Sequence, residues 1–347
     1  MNENTNEIRS APCPTCILCG SEGEIMYEGL RDRLFGASGS WNCKKCPDAQ
    51  CGLLWLDPMP LPEDIGKAYA QYYTHAPLPT DRTSLFKRFV QLTERRWLST
   101  KYGYPEDPAD LSSSLLKKSH YLFPFYSPPA IAGVRFLPFV RNGRLLDVGC
   151  GSGGWLAIMK NLGWAVEGVD FDPKAVKAAA EINIKVQIGS VEDQKYPPAS
   201  FDAITLSHVI EHVPDPIGTI MECARLLKPG GRLMLYTPNA SSRCHYYFKR
   251  DWRGLEPPRH LHIFSFTSMQ KLFDRAGFKQ MSIRPHIGTS VTYESWLLRR
   301  SGGRTIDLNR QAFSTRLFLR LFAGLGHLLV GFMPSVGEVL AVVAVKK

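Results

Sequence analysis

The stretch Leu145-Leu146-Asp147-Val148-Gly149-Cys150-Gly151-Ser152-Gly153-Gly154-Trp155 joins a short apolar run to a glycine-rich turn and then to a helical pattern. Glycine adopts backbone that side chains forbid, so a loop of this kind between strand and helix lets the main chain approach a ligand closely. The alternation continues downstream. Apolar runs at Arg144–Val148, Ala165–Val169, Lys185–Ile188 and Phe201–Ser207 are interleaved with helical patterns at Trp155–Leu162 and Pro173–Ile182, which predicts a parallel α/β sheet. Asp172 is placed to cap a helix whose first position suits Pro173, and Gly163 stands where the previous helix ends. Lys228-Pro229-Gly230-Gly231 is expected to turn the chain into a strand over Arg232–Thr237. A helix ending near Gly277, a strand around Met281–Arg284 and a last strand at Val339–Val345 complete the pattern.

Gly149, Gly151 and Gly154 also fit the dinucleotide fingerprint G-x-G-x-x-G, so the glycines alone leave two cofactors open. Charge separates them. Asp147, two residues before the first glycine, repels a pyrophosphate but suits a ligand carrying an ammonium and a sulfonium, as S-adenosylmethionine does. Asp170 ends the next strand and can accept from both ribose hydroxyls, while Glu192 or Asp193, after the third strand, can reach an adenine edge.

Six of the nine cysteines crowd between Cys13 and Cys51, a density that points to a metal site where thiols stay reduced. Cys16-Ile17-Leu18-Cys19-Gly20 is a knuckle in which a tight turn brings two thiolates to one side, and Cys46 with Cys51-Gly52 supplies a second pair. Four thiolates complete a tetrahedral Zn²⁺ and leave no open position, so this zinc is structural. Cys13 and Cys43 form competing pairs with Cys16 and Cys46; Cys16, Cys19, Cys46 and Cys51 are preferred because glycine follows the second cysteine of each pair.

The order of these motifs, Leu145 to Trp155, Gly168-Val169-Asp170-Phe171-Asp172-Pro173, Ser200 to Ile204, Ser207 to Pro216 and Leu227 to Gly231, resembles the class I S-adenosylmethionine-dependent methyltransferases, and most of all their ubiquinone-pathway-like branch. The resemblance covers about residues 143–284 and the last strand. It implies a Rossmann-like seven-stranded sheet whose last strand runs antiparallel, preceded here by a small zinc ribbon of a kind fused to many bacterial members. The cofactor-binding residues expected on this reading are Asp147, Gly149, Cys150, Gly151, Gly153, Asp170, Phe171, Val191, Glu192 and Ser207.

His208-Val209-Ile210-Glu211-His212 follows the fourth strand, at the sheet edge where open α/β folds place ligands. It also matches the H-x-x-E-H zinc-protease motif, but that motif needs a sustained helix, and Pro214 and Pro216 interrupt this one. If the methyl acceptor is a hydroxyl, transfer releases a proton that a base must take. His212, or His260 in Glu256-Pro257-Pro258-Arg259-His260-Leu261-His262 once that segment folds over the cleft, suits the task, with Glu211 and His208 beside them. Alternatively Glu211 and His212 only brace the loop, or the group holds a second divalent ion. For the ion, the segment resembles the E-x-x-E-H arrangement of metal-dependent ribose O-methyltransferases, with His208 in place of the first carboxylate.

Four composition changes give the expected borders: a Cys-rich module over 1–60, a helical connector and cofactor lid over 61–140 with a basic amphipathic helix at Leu85–Trp97, the catalytic domain over 141–285 and 336–347, and a basic apolar helical insertion over 286–335. The chain carries 42 Lys and Arg against 32 Asp and Glu, and nine against three of these lie between Arg284 and Lys347. Such a balance favours anionic partners. The apolar helix expected at Arg316–Pro334 has an uncharged run, Leu321–Met333, too short to span a bilayer, so it is expected to cover the cleft or to rest on an anionic membrane surface. Without an apolar leader the chain is read as cytoplasmic, peripheral at most to the inner membrane face. The expected acceptor is a small metabolite, a glycan or a lipid-linked intermediate. Nucleic-acid binding and a catalytically degenerate scaffold are the rival readings; the knuckles show no aromatic-basic RNA motif, and the intact acids and glycines oppose a dead site.

Overall fold

The computed structural model describes residues 7–70, 98–105, 133–278, 280–286, 289–306 and 337–347. In chain order its elements are β1 (Ser10–Ala11), β2 (Glu24–Leu30), β3 (Trp41–Lys45), β4 (Leu54–Leu56), β5 (Met59–Pro60), a 3₁₀ turn (Pro62–Tyr69), β6 (Arg144–Val148), α1 (Gly154–Asn161), β7 (Ala165–Asp170), α2 (Pro173–Glu181), β8 (Val186–Ile188) and β9 (Phe201–Ser207). There follow α3 (Pro216–Leu226), β10 (Leu227–Pro238), α4 (Arg243–Phe248), β11 (His262–Ile263), α5 (Phe266–Arg275), β12 (Gln280–His286), α6 (Thr289–Arg300) and β13 (Val339–Val345). The helices expected at Leu85–Trp97 and Arg316–Pro334 lie outside the described residues.

Seven strands form one mixed sheet in the order β12-β13-β10-β9-β6-β7-β8, with parallel pairing of β6 to β7, β6 to β9 and β7 to β8. Its interior strand β6, between β9 and β7, carries fully buried Leu145 and Leu146, as a strand covered on both faces requires. Asp172 caps α2, its carboxylate accepting from Lys174 N at 2.8 Å, and Pro173 takes the first helical position. One expectation needs correction. Lys228–Gly231 is not a turn before a strand but the first part of a single strand, β10, because Gly230 N donates to Lys346 O and Lys346 N to Gly231 O, both at 2.9 Å. The last strand thus supplies ladder partners that the glycines alone do not reveal.

Contacts divide the chain into two compact units: Met1–Tyr73, Ser207–Ala224 and Leu235–Val342 in the first, and Thr74–Leu206, Arg225–Met234 and Val343–Lys347 in the second. This division differs from the borders drawn on composition, since the Cys-rich module shares a unit with segments far along the chain. Within the first unit a four-stranded antiparallel sheet runs β11-β4-β3-β2, where His262 pairs with Trp55 and Ile263 with Leu54. Two apolar clusters consolidate it. Leu30, Cys43 and Leu54 pack with Phe248, Trp252 and Ile263, while Ile8, Trp41 and Leu56 pack with Ala68 and Leu261. Burial of such side chains contributes about 1.5–3 kcal/mol each. Among the described residues no helix is long and apolar enough to cross a membrane.

Candidate functional site

The second unit builds the glycine loop at the carboxyl end of β6. Gly149, Gly151 and Gly153 have φ of 68°, 55° and 73°, a left-handed run closed to most side chains. Gly149 N and Cys150 N both donate to Val169 O, at 2.7 and 3.2 Å, which ties the loop to the end of β7. A Cβ on Gly151 would meet open space, so main chain lines that side of the loop; at Gly153 it would crowd Ile184 at 3.1 Å and Ala179 at 3.2 Å. The two glycines therefore differ in kind, one at an open surface and one at a helix packing point.

Asp170 spans the loop. Its Oδ2 accepts from Gly151 N at 2.7 Å and its Oδ1 from Asp172 N at 2.9 Å, so each oxygen is oriented while keeping further lone pairs for a ligand's hydroxyls. Phe171 follows, an aromatic ring left 68% exposed beside the carboxylate. Val191 is buried beyond the third strand's end, Asp193 is engaged by Ser190 N and Oγ at 3.1 and 2.7 Å, and Glu192 beside it is exposed. Asp147 is buried and accepts from Thr205 Oγ1 at 2.6 Å and Arg135 Nη1 at 2.5 Å. Burial pushes the Asp147 carboxyl up while Arg135 and Thr205 pull it down, with the net effect upward. Arg135 also lies 3.7 Å over the Trp155 ring. A cation therefore already meets the carboxylate at which the sequence places a ligand's ammonium. No motif marks Arg135; only its fold-back onto Asp147 reveals it.

The first unit holds the histidines. His208 has φ 56° and Glu211 and His212 follow in a turn, not a helix, consistent with the proline argument against a protease motif. Ser207, at the end of β9, is half-buried in this same unit. Glu211 is buried, with Oε1 3.1 Å from His208 Nδ1 and Oε2 accepting from Thr237 Oγ1 at 3.0 Å. Burial opposes its ionisation, but the His208 hydrogen bond and the neighbouring imidazoles outweigh this and bring the carboxyl down to about 2. Its main-chain oxygen accepts from Leu261 N at 2.8 Å and His262 N at 3.2 Å, binding the 259–262 segment to the turn.

His212 Nδ1 lies 2.9 Å from Arg259 O, and His260 Nδ1 lies 2.7 Å from Gly254 O. A carbonyl can only accept, so both rings carry their proton on Nδ1 and present Nε2 as the lone-pair nitrogen. Burial lowers both: His212 against the pull of Glu211, and His260 well below the ordinary range with His212 adding to the effect. Neutral imidazoles result. Glu211, His212 and His260 offer ligand atoms all within 4.8 Å of one another, while His208 sits on Glu211 outside that trio with its side chain half exposed. Tyr69 Oη, 2.9 Å from His212 Nδ1, has no signal in the sequence.

Arg259 anchors the same segment and was likewise invisible. Fully buried, it donates to Glu256 Oε1 and Asp32 Oδ2, both at 2.8 Å, and to Ala68 O at 3.0 Å. Asp32 in turn accepts from the main-chain N–H groups of Leu34, Phe35 and Ala37. The segment expected to fold over a cleft is therefore clamped onto the Cys-rich module, where β11 extends the module's sheet.

In that module the sulfurs of Cys16, Cys19, Cys46 and Cys51 lie within 4.8 Å of one another, with Cys16 to Cys51 at 3.7 Å and Cys19 to Cys46 at 3.3 Å. Tetrahedral zinc with bonds of about 2.3 Å sets sulfurs about 3.8 Å apart, so the donor set fits the ion. Burial raises the Cys19 thiol, yet hydrogen bonds to Ser21 and the neighbouring sulfurs outweigh it and bring it down to about 6. Gly20 and Gly52 take φ of 76° and 64° at the two turns. Cys43 lies apart in an apolar cluster and Cys13 outside the group.

Residues 120–283 match a family model described as a methyltransferase domain. A ubiquinone biosynthesis O-methyltransferase of Xanthomonas campestris pv. campestris (strain B100) is 45% identical over 103 residues, 28% of this chain and 43% of the relative. That of Xanthomonas oryzae pv. oryzae (strain PXO99A) is 45% identical over 107 residues, 29% of this chain and 45% of the relative. The chain thus spans less than half the length of these curated relatives. A solved S-adenosylmethionine-dependent methyltransferase of Archaeoglobus fulgidus is 20% identical, with a TM-score of 0.43, over 66% of this chain and 100% of that one. Residues 120–283, which build most of the mixed sheet, are thus those of a methyltransferase domain.

Proposed function

We propose that the protein methylates an oxygen of a small metabolite, a glycan or a lipid-linked intermediate, using S-adenosylmethionine. The observation that carries the reading is the glycine loop with its two carboxylates, Asp147 on β6, held by Thr205 and Arg135, and Asp170 on β7, held by main-chain N–H groups. The bound cofactor supplies an electrophilic methyl on a cationic sulfur. Gly149 and Gly151 receive it along main chain, Asp170 accepts from its ribose hydroxyls, Asp147 meets its ammonium through Oδ2, since Arg135 and Thr205 both engage Oδ1, and Phe171 and Glu192 flank its adenine. The relatives named as ubiquinone O-methyltransferases support oxygen as the acceptor.

His212 is the proposed proton acceptor. Its Nδ1–H is fixed by Arg259 O, its Nε2 carries the lone pair, and burial keeps the ring neutral, so it can take the proton a hydroxyl releases. His260, with the same tautomer, and Glu211 hold the ring's electrostatic surroundings. Cys16, Cys19, Cys46 and Cys51 are proposed to hold structural zinc, and metal analysis of purified protein should return one zinc per chain.

A second reading of the histidines rests on one feature: both rings tie Nδ1 to a carbonyl, the outer-sphere pattern that orients metal ligands, and with Glu211 they offer ligand atoms within 4.8 Å of one another. Two imidazoles and a carboxylate suit Zn²⁺ or Mn²⁺ better than Mg²⁺.

The test is calorimetric titration with S-adenosylhomocysteine, followed by labelled methyl transfer to a panel of hydroxyl acceptors. One-to-one micromolar binding, abolished in Asp170→Ala, is expected. His212→Gln should bind the product normally and lose about 10²–10⁴-fold in kcat. Absence of binding by folded, zinc-loaded protein would overturn the enzyme reading. Loss of activity on chelation with the four-cysteine zinc retained would select the metal reading of the histidines over the base.

A further inference from the structure

A cavity of about 430 Å³ opens within the first unit, bounded by Gly29–Leu34, by the turns at Arg250–Pro257 and by Leu298–Gly303 at the end of α6. Its volume lies in the range of about 300–1,000 Å³ typical of small-molecule sites, far more than one inorganic ion needs. Five arginines line it: Arg31, Arg33, Arg250, Arg253 and Arg299. Three carboxylates face them, and each is already engaged. Asp32 and Glu256 hold the buried Arg259, Glu256 also holds Arg253, and Asp251 accepts from Arg33 at 2.8 Å. Arg253 is further paired with Glu294 at 2.8 Å, and Arg299 lies 3.9 Å from Asp251.

Two guanidinium groups are left over. Among the described residues no carboxylate lies within salt-bridge distance of Arg31 or Arg250, both exposed; Arg250 donates only to Glu28 O, at 3.3 Å. Trp252, beneath this wall, is 1% exposed and stacked on His245, so it supports the cavity floor from the apolar core. Gly302 and Gly303, at φ 58° and 91°, would place a Cβ in open space, so the rim there is main chain. Unmatched guanidinium forks beside a bare backbone rim, in a cavity of this volume, select a ligand with several anionic oxygens and an organic part.

We propose that this cavity binds a soluble organic diphosphate, its phosphoryl oxygens held by Arg31 and Arg250 and its organic part set against Leu34 and the Gly302–Gly303 rim. The inference stands apart from the methyl-transfer reading, since it uses none of the residues assigned there. The probes are UDP and inorganic pyrophosphate in calorimetry on the full chain, and phosphatidic acid vesicles in co-sedimentation. Micromolar one-to-one binding of UDP is expected, tighter than pyrophosphate and weakened by salt. Arg31→Ser with Arg250→Ser should weaken it about a hundredfold, tenfold or 1.4 kcal/mol for each. Both positions are exposed, and unchanged circular dichroism and zinc content verify that the double variant folds. UDP binding unaffected by the double substitution overturns the proposal, as does no binding of UDP by folded wild type. Vesicle binding without UDP binding overturns the soluble ligand and assigns the same phosphoryl chemistry to a lipid headgroup.

Discussion

The glycine loop and the histidine cluster are both built around buried carboxylates, yet they are assembled in opposite ways. At the loop, Asp170 is oriented by Gly151 N and Asp172 N, groups 19 and two residues away. At the cluster, His212 is oriented by Arg259 O, 47 residues on, and by Tyr69, 143 residues back. Arg259 is itself held by Asp32, 227 residues away. A site made from main chain and near neighbours tolerates much change elsewhere, because its geometry follows from strand, turn and cap. A site made from distant side chains depends on a buried scaffold, and its weakest point is whatever joins the segments.

Arg259 is that point, and its removal should have the largest effect. With both Asp32 and Glu256 nearly sealed from solvent, Arg259→Leu leaves buried carboxylates without their shared cation, a change that costs about 3–5 kcal/mol. Urea denaturation should show the first unit's transition moving down by that amount. If the loss is under about 1 kcal/mol, the cluster is held by its apolar packing and the contrast with the glycine loop fails.

This contrast also explains what was legible in the sequence. The alternation from Arg144 to Ser207 determines strands and helices within a residue or two, because period and caps are local properties. The positions of Asp147 and the glycines follow from one strand-turn-helix, and that of Asp170 from the end of the next strand. Arg135 could not be placed so, for its role is to lie on Asp147 from a segment without periodicity. Nor could Tyr69 or Asp32. The pairing of His262 with Trp55 joins segments more than 200 residues apart, and no pattern in either announces the other. The same cause misplaced the start of β10, whose first residues bond to Lys346.

Proton linkage gives a second way to separate the two regions. Burial holds His262 down to about 4 from an ordinary 6.5, and lowers His212 and His260 in the same direction. The folded chain therefore refuses protons that the unfolded chain accepts, so stability is complete above pH 6.5 and falls as pH drops toward 4. For His262 alone the loss is about 3 kcal/mol. Glu211 acts in a separate window: with its carboxyl at about 2, its contribution is present above its ordinary 4.5 and is lost as pH falls below that. Unfolding free energy measured from pH 7.5 to 4.5 should decline, and His262→Gln should flatten part of that slope. A wild-type slope of zero would mean that the first unit takes up these protons while folded.

The smallest effect sharpens the comparison from the glycine-loop side. Asp172 caps α2 through Lys174 N, and its own N–H donates to Asp170 Oδ1. Asp172→Ala removes the carboxylate cap but keeps the main-chain N–H, so α2 should lose about 1 kcal/mol. Binding of S-adenosylhomocysteine should change less than twofold, because Asp170 is oriented by backbone donors that alanine also supplies. A thermal shift without a binding change would show that this site's geometry resides in its main chain. An affinity loss of tenfold or more would mean that the cap's side chain, too, positions Asp170, and the loop would then share the histidine cluster's dependence on individual side chains.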